Sequence, residues 1–258
     1  MPDVAPLLFF AIPASCQPSG APWGDRLDVV RLLLDSRSPA SPTTALGEVG
    51  DDDLTRLYAW PEGGGVRANF VSTLDGSAAG GDGRSGSINT EADGRVFHLQ
   101  RELADCVLVG AGTARAEGYR PGATPIFVVS GRGHLPETLT SGEGDVVLVT
   151  CASSGLEPSD DVWVEGEDEV DLRAVVARLH DAGMPCVLAE GGPSLFHDLL
   201  AAGLVDELAL TLAPRLVGGD ATRVVAGTPL DGASGLATEL VHLLEEDGSL
   251  LTLWRLPR

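Results

Sequence analysis

The sequence predicts one α/β domain: a mixed, mostly parallel central sheet flanked by helices, with an antiparallel hairpin at the C-terminus. Three observations carry this. Strand-like and helix-like segments alternate from Val66 onward. Several of the strand-like segments, such as Val107–Val109 and Cys186–Ala189, are continuous apolar runs, the pattern of strands buried between two helical layers. The last two apolar runs flank Glu245–Ser249, a turn-rich stretch that suits a hairpin. A length of 258 residues with 43% apolar residues is enough for such a core.

The elements follow in order. Residues 1–65 form an N-terminal extension expected to pack on the edge of a domain spanning 66–258. The extension has an apolar start, a helix expected at Asp25–Leu34, a Ser/Pro/Thr loop at 36–44, and a short helix at Asp51–Trp60 with acids in its first turn. Three glycines, 63–65, then punctuate the chain. Strands are expected at Val66–Ser72, Asp105–Gly110, Pro125–Ser130, Asp145–Thr150, Val162–Val164, Pro185–Glu190, Asp206–Ala213, Thr238–Leu244 and Leu250–Leu256. Helices are expected at Thr90–Ala104, Thr113–Glu117, Val170–Ala182 and Ser194–Ala202. Thr90 is a ready N-cap, and Val96, Leu99 and Leu103 fall on one face. Leu172, Val175, Val176 and Leu179 do the same in the third of these helices.

Composition excludes some functions. The formal charge is −21, from 17 basic and 38 acidic residues. A general nucleic-acid binder needs a basic face to neutralise phosphates, and an anionic membrane surface would repel this chain. A small anionic substrate is not excluded, because a few local arginines can dominate one cleft. The four cysteines make no C-x-x-C pair, and two of them open strands, which fits buried thiols in a reducing, cytoplasmic setting. The five histidines share no metal spacing, so no metal site is expected. The apolar run Pro6–Ala14 is short and has no basic residue before it, which argues against a leader peptide.

Three glycine-bearing turns follow strands: Thr73–Gly76, Gly110–Thr113 and Glu190–Leu195. In an open α/β sheet, ligands bind beyond the carboxyl ends of strands, where backbone N–H groups and helix N-termini hold phosphates. Three such turns at one edge point to a nucleotide site. The second turn, Gly110-Ala111-Gly112, is not a Rossmann fingerprint: the third small residue is replaced by Arg115, and no acid ends the next strand. The third is the sharpest. Its strand ends on a carboxylate, Glu190; Gly191 and Gly192 permit close approach of a ligand, and Pro193 suits a first helical turn.

At these residues the chain resembles the reductase domain of the riboflavin biosynthesis enzymes, a family with a dihydrofolate-reductase-like fold. The matching segments are ANFVSTLDGSAA (68–79), GRSGSINTEADGRVFHLQRELADCVLVGAGTARAEGYRP (83–121) and LAEGGPSLFHDLLAAGLVDELALTLAPRLVGG (188–219). The family's deaminase domain needs H-x-E and P-C-x-x-C, and neither occurs here, so the likeness is to a stand-alone reductase.

The resemblance implies NADPH as cofactor and 5-amino-6-(5-phosphoribosylamino)uracil as substrate, reduced by hydride transfer to ribose C1′. Carried over by position, Gly110, Gly112, Thr113 and Glu117 would meet the cofactor, with Glu117 standing where many members have aspartate. Val128, Val129 and Ser130 would run beneath its adenosine half. Glu190, Gly191, Gly192 and Pro193 would meet the nicotinamide and pyrophosphate. Apart from the resemblance, the strand Ile126–Ser130 ends in Ser-Gly-Arg rather than an acid, so Arg132 can meet a 2′-phosphate. Ser85 and Arg101 would bind substrate, Arg101 through the phosphate. Asp75 and Glu190 would be the catalytic acids, with ordered water an alternative proton source. Ser87 stands where bifunctional members often carry an aromatic residue, a departure that alters the outline of the substrate pocket. A homodimer is implied by the family alone. Two other readings stay open: a reductase of dihydrofolate or another pterin, for which Asp75 could supply the buried carboxylate, and a non-catalytic NADPH-binding protein.

Overall fold

The computed structural model describes residues 30–37, 47–230 and 235–257. Among these, 11 strands form one sheet in the order β2-β1-β10-β11-β9-β3-β8-β4-β5-β6-β7. The strands are β1 (Arg31–Asp35), β2 (Gly47–Glu48), β3 (Gly65–Thr73), β4 (Cys106–Gly110), β5 (Ile126–Val129), β6 (Val146–Thr150), β7 (Val162–Val164), β8 (Cys186–Ala189), β9 (Glu207–Ala213), β10 (Glu239–Glu246) and β11 (Ser249–Arg255). The run from β9 to β7 is parallel throughout. The other end, β2-β1-β10-β11-β9, is antiparallel and contains the β10–β11 hairpin.

Five α-helices cover the two faces: α1 (Asp51–Tyr58), α2 (Glu91–Leu103), α3 (Ala111–Glu117), α4 (Leu172–Asp181) and α5 (Pro193–Ala201). Side-chain alternation along the strands sorts them. Val66, Ala68, Phe70, Leu108 and Phe127 pack with Val175 and Leu179 of α4 and Phe196 and Leu199 of α5. From the opposite face, Val107, Val109, Ile126 and Val128 pack with Ala114 of α3. The antiparallel end buries Ala209, Val241, Leu244 and Leu251 against α1 and α2. Thr90 caps α2, its side chain accepting the Asp93 backbone N–H at 3.3 Å. None of the described helices is long and apolar enough to cross a membrane.

One expected element is overturned. The helix at Asp25–Leu34 is not formed over its described part: Arg31–Asp35 is a strand paired antiparallel with β10. Its centre, Leu32–Leu34, is a short apolar run, and such a run does not by itself separate helix from strand. The open edge of β10 supplies the ladder that decides it. Residues 25–29 and the apolar start at 6–14 lie outside the described residues, as does most of the 36–44 loop.

A buried ion pair joins β3 to β9. Arg67, fully buried, donates from Nε at 2.9 Å and Nη2 at 2.6 Å to Glu207, and from Nη1 to the Tyr58 carbonyl at 2.7 Å. Its guanidinium lies 4.2 Å from the centre of the Trp60 ring. Each donor needs its acceptor here, because an unpaired charge at this depth costs several kcal/mol.

Candidate functional site

Strands β3, β8 and β4 are parallel neighbours, so their carboxyl ends reach the same edge of the sheet. A cleft of about 970 Å³ opens there. That is the upper end of the range for small-molecule sites and leaves room for two ligands side by side. Its floor is Asn69, Phe70 and Val71 of β3, and one wall is α2. A second wall is α3 with the residues that follow it, and the mouth is framed by loops 78–86 and 217–222.

At its centre stands Glu190, just past the end of β8, its side chain only 2% exposed. Arg101 of α2 grips it with both arms, Nε to Oε1 at 2.7 Å and Nη2 to Oε2 at 2.6 Å. The Tyr119 hydroxyl donates to Oε2 at 2.6 Å. Burial and the facing carboxylate push the Tyr119 phenol well above its ordinary value, so it stays protonated and donates. The Arg101 guanidinium sits between the Phe97 and Tyr119 rings, at 4.6 and 5.1 Å from their centres. A fork-to-fork bond between rings fixes the direction of the Glu190 side chain.

The glycine turns stand against one another. The Gly110 N–H donates to the Gly191 carbonyl at 2.7 Å. A Cβ on Gly192 would lie 2.3 Å from Thr113 Oγ1, so the second and third turns approach as closely as glycine allows. Gly191 and Gly192 are joined by a cis peptide bond. Gly192 is the N-cap of α5 and offers no side-chain acceptor, so the first-turn N–H groups of that helix lack a side-chain cap. With Pro193 at the first turn, Gly192 lines the cleft.

Of the residues expected from sequence, Ser85, Arg101, Gly112, Thr113, Glu117, Glu190, Gly192 and Pro193 line this one cleft. Glu117 Oε1 accepts the Ser85 N–H at 2.8 Å, tying the loop at the mouth to α3. Gly110 and Gly191 stand behind the lining. Gly191 has φ +92° and its missing Cβ would meet the Phe70 ring at 3.1 Å, so turn geometry alone requires glycine there.

Asp75 does not line the cleft. It is exposed, and its carboxylate accepts the backbone N–H groups of Val217 at 3.0 Å and Gly218 at 2.6 Å together with the Thr73 hydroxyl. These bonds, the hydroxyl first, hold it below the usual carboxylate range. Its exposure does not suit the buried carboxylate that a pterin ring would need, and its bonds tie the turn after β3 to the 217–218 loop at the cleft mouth. Val128, Val129, Ser130 and Arg132 also lie outside the cleft lining. Val128 is wholly buried against α3, Ser130 is buried with its Oγ accepting the His134 N–H, and Arg132 is exposed in the turn after β5.

Sequence reasoning did not pick out Asn69, Asp93, Phe97, Tyr119 or Arg120, all of which line the cleft. A signal for two of them existed. Asp93, Phe97 and Arg101 recur at intervals of four on α2, a second stripe beside the apolar one. The ionisable groups available are few. All 17 basic residues of the chain are arginine, and no histidine lines the cleft, so no ammonium or imidazole stands there.

The chain matches the family described as RibD C-terminal domain over residues 65–250. It is 32% identical over 185 residues to the 2,5-diamino-6-ribosylamino-4(3H)-pyrimidinone 5′-phosphate reductase of Methanothermobacter thermautotrophicus, a match covering 64% of this chain and 85% of the relative. The protein of the same name from Archaeoglobus fulgidus is 27% identical over 210 residues, covering 71% of this chain and 93% of the relative. Among solved structures, a pyrimidine reductase-like protein from Corynebacterium diphtheriae has the same fold, with a TM-score of 0.62 at 22% identity, over 76% of this chain and 92% of its own.

Proposed function

The chain belongs to the RibD C-terminal domain family, and on that premise we propose that it is an NADPH-dependent reductase of riboflavin biosynthesis. Its substrate is a phosphorylated ribosylaminopyrimidine, converted to the ribitylamino product. The observation that carries the reading is the clamp of Arg101 and Tyr119 on Glu190, set beside the uncapped start of α5 in one cleft. A polar, fixed carboxylate suits a sugar, and free backbone N–H groups suit a pyrophosphate. The M. thermautotrophicus and A. fulgidus relatives are named as reductases of such a phosphate.

NADPH, when bound, would supply the hydride for ribose C1′, and a proton at the ring oxygen would complete the opened sugar. This chain's own residues bind and orient. Gly192, Pro193, Gly112 and Thr113 hold the dinucleotide. Glu190 accepts hydroxyls of the ribosyl chain on the lone pairs that Arg101 and Tyr119 leave free. Arg101 and Arg120, both on the cleft, draw the phosphate end. Arg132, beyond β5, reads the 2′-phosphate. A cytoplasmic homodimer belongs to this reading by family resemblance.

The test is turnover by purified protein, with NADPH and each pyrimidine phosphate, and with dihydrofolate in parallel. Oxidation of NADPH with formation of the ribityl product supports the reading. Turnover of dihydrofolate alone, or NADPH binding without any turnover, overturns it.

A further inference from the structure

We infer that Asp93 selects the pyrimidine ring, pairing with the 2-amino and N3–H groups of a 2-aminopyrimidin-4-one and rejecting a uracil. This rests on the reductase reading above and names its substrate more closely.

Asp93 lies in the first turn of α2, one wall of the cleft, and its residue is only 5% exposed. The side chain that helps to satisfy it is the Thr211 hydroxyl of β9. Among the described residues no arginine or histidine forms an ion pair with it. Burial raises its pKa, which the Thr211 hydroxyl only partly offsets. A buried carboxylate on a cleft wall with no cation beside it is matched by a ligand that brings donors.

The two candidate rings differ at one edge. The 2-aminopyrimidin-4-one offers two adjacent donors, the amino group and N3–H. Uracil offers N3–H between two carbonyl acceptors. A carboxylate presents two acceptors, so it bonds both donors of the first ring in parallel. Against uracil one of its oxygens faces a carbonyl oxygen, and a buried acceptor is left unpaired. Position agrees. Eight residues of helix separate Asp93 from Arg101, about 12 Å along the axis. Phe97 lies between them on the same wall. That puts a ring-reading group at one end of the wall, an aromatic surface in the middle and an arginine at the phosphate end.

The experiment compares kcat/KM for 2,5-diamino-6-ribosylamino-4(3H)-pyrimidinone 5′-phosphate with that for 5-amino-6-(5-phosphoribosylamino)uracil, in the wild type and in Asp93→Asn. The wild type is expected to favour the diamino ring at least about tenfold, a difference of roughly 1.4 kcal/mol. An amide presents one donor and one acceptor, so the variant is expected to lose that preference or reverse it. Equal turnover of both rings by the wild type, or a ratio unchanged in the variant, overturns the assignment. Should the variant not fold, a wild-type ratio near one still overturns the assignment, and Asp93→Ala, which removes both acceptors, is expected to lose the preference in its place. Turnover of neither ring by the wild type overturns the functional reading and this inference with it, whereas turnover without preference sinks the inference alone.

Discussion

Replacing Gly192 by alanine separates the cofactor cradle from the fold. Its φ is −77°, a conformation alanine adopts freely. The added methyl meets only the Thr113 side chain, Oγ1 at 2.3 Å and Cβ at 3.7 Å. The hydroxyl must therefore rotate, at a cost of about 0.5–1.5 kcal/mol. Reduced freedom of the unfolded chain returns about 0.4–1 kcal/mol. The net change is about 1 kcal/mol or less, which moves Tm by about 2–4 °C at this size. Gly191 is the control. Its φ of +92° and the Phe70 ring at 3.1 Å make Gly191→Ala costly in itself. Backbone strain of about 1–3 kcal/mol and overpacking of similar size give a Tm loss of about 4–24 °C. For Gly192→Ala, NADPH binding is expected to weaken at least about tenfold, roughly 1.4 kcal/mol. Calorimetric Tm and fluorescence titration with NADPH measure both quantities. Adding Thr113→Ala removes the internal clash while leaving the methyl in the cleft, so weak binding should persist in the double variant. Normal NADPH affinity in Gly192→Ala, or full recovery in the double variant, refutes the cradle.

Three other outcomes follow from the same geometry. Arg101→Ala removes a charge-assisted bond worth about 1.5–3 kcal/mol, so KM for the phosphorylated substrate should rise by about one to two decades with NADPH affinity near wild type; an unchanged KM would confine Arg101 to holding Glu190. Arg132→Ala should weaken NADPH much more than NADH, and equal losses in paired titrations would remove it from 2′-phosphate recognition. His242 is buried with Nε2 unbonded, and burial, then the charges of Arg37 and Arg67, push its pKa down to about 3. The unfolded chain takes up a proton near pH 6.5 that the folded chain refuses, so stability present above that pH is lost as pH falls toward 3, by about 1.4 kcal/mol per unit. His242→Leu should flatten this part of a denaturant-midpoint profile, and an identical slope in the variant would exclude the histidine as its source.

What the sequence made legible is what short-range pattern controls. Val107–Val109 and Val187–Ala189 are buried on both faces, and apolar runs of this kind read directly as inner strands. The turns at 110–113 and 190–193 were visible because glycine and proline mark backbone needs wherever they fall. Arg31–Asp35 was misread because its conformation is set by β10, more than 200 residues away. On α2, Val96, Leu99 and Leu103 announced the core face. Asp93 and Phe97 read as the outer face of an amphipathic helix, since nothing local says that a cleft covers it, and Arg101 on the same stripe stood out only through the family resemblance. Asp75 drew attention as an acid in a turn, and only the loop at 217–218, brought near by the sheet, reveals what it bonds. Tyr119 sits in irregular chain after α3, where neither periodicity nor turn chemistry distinguishes a site residue from a loop residue.

The central claim is that this cleft reduces a phosphoribosylaminopyrimidine with NADPH. The most direct measurement is NADPH oxidation by the purified chain with the pyrimidine phosphates and with dihydrofolate, with the product identified by mass spectrometry. The account predicts one ribitylamino product formed per NADPH oxidised with a pyrimidine phosphate, and none of this oxidation with dihydrofolate. Oxidation driven by dihydrofolate alone, or no oxidation with any of them while NADPH binds, would contradict it.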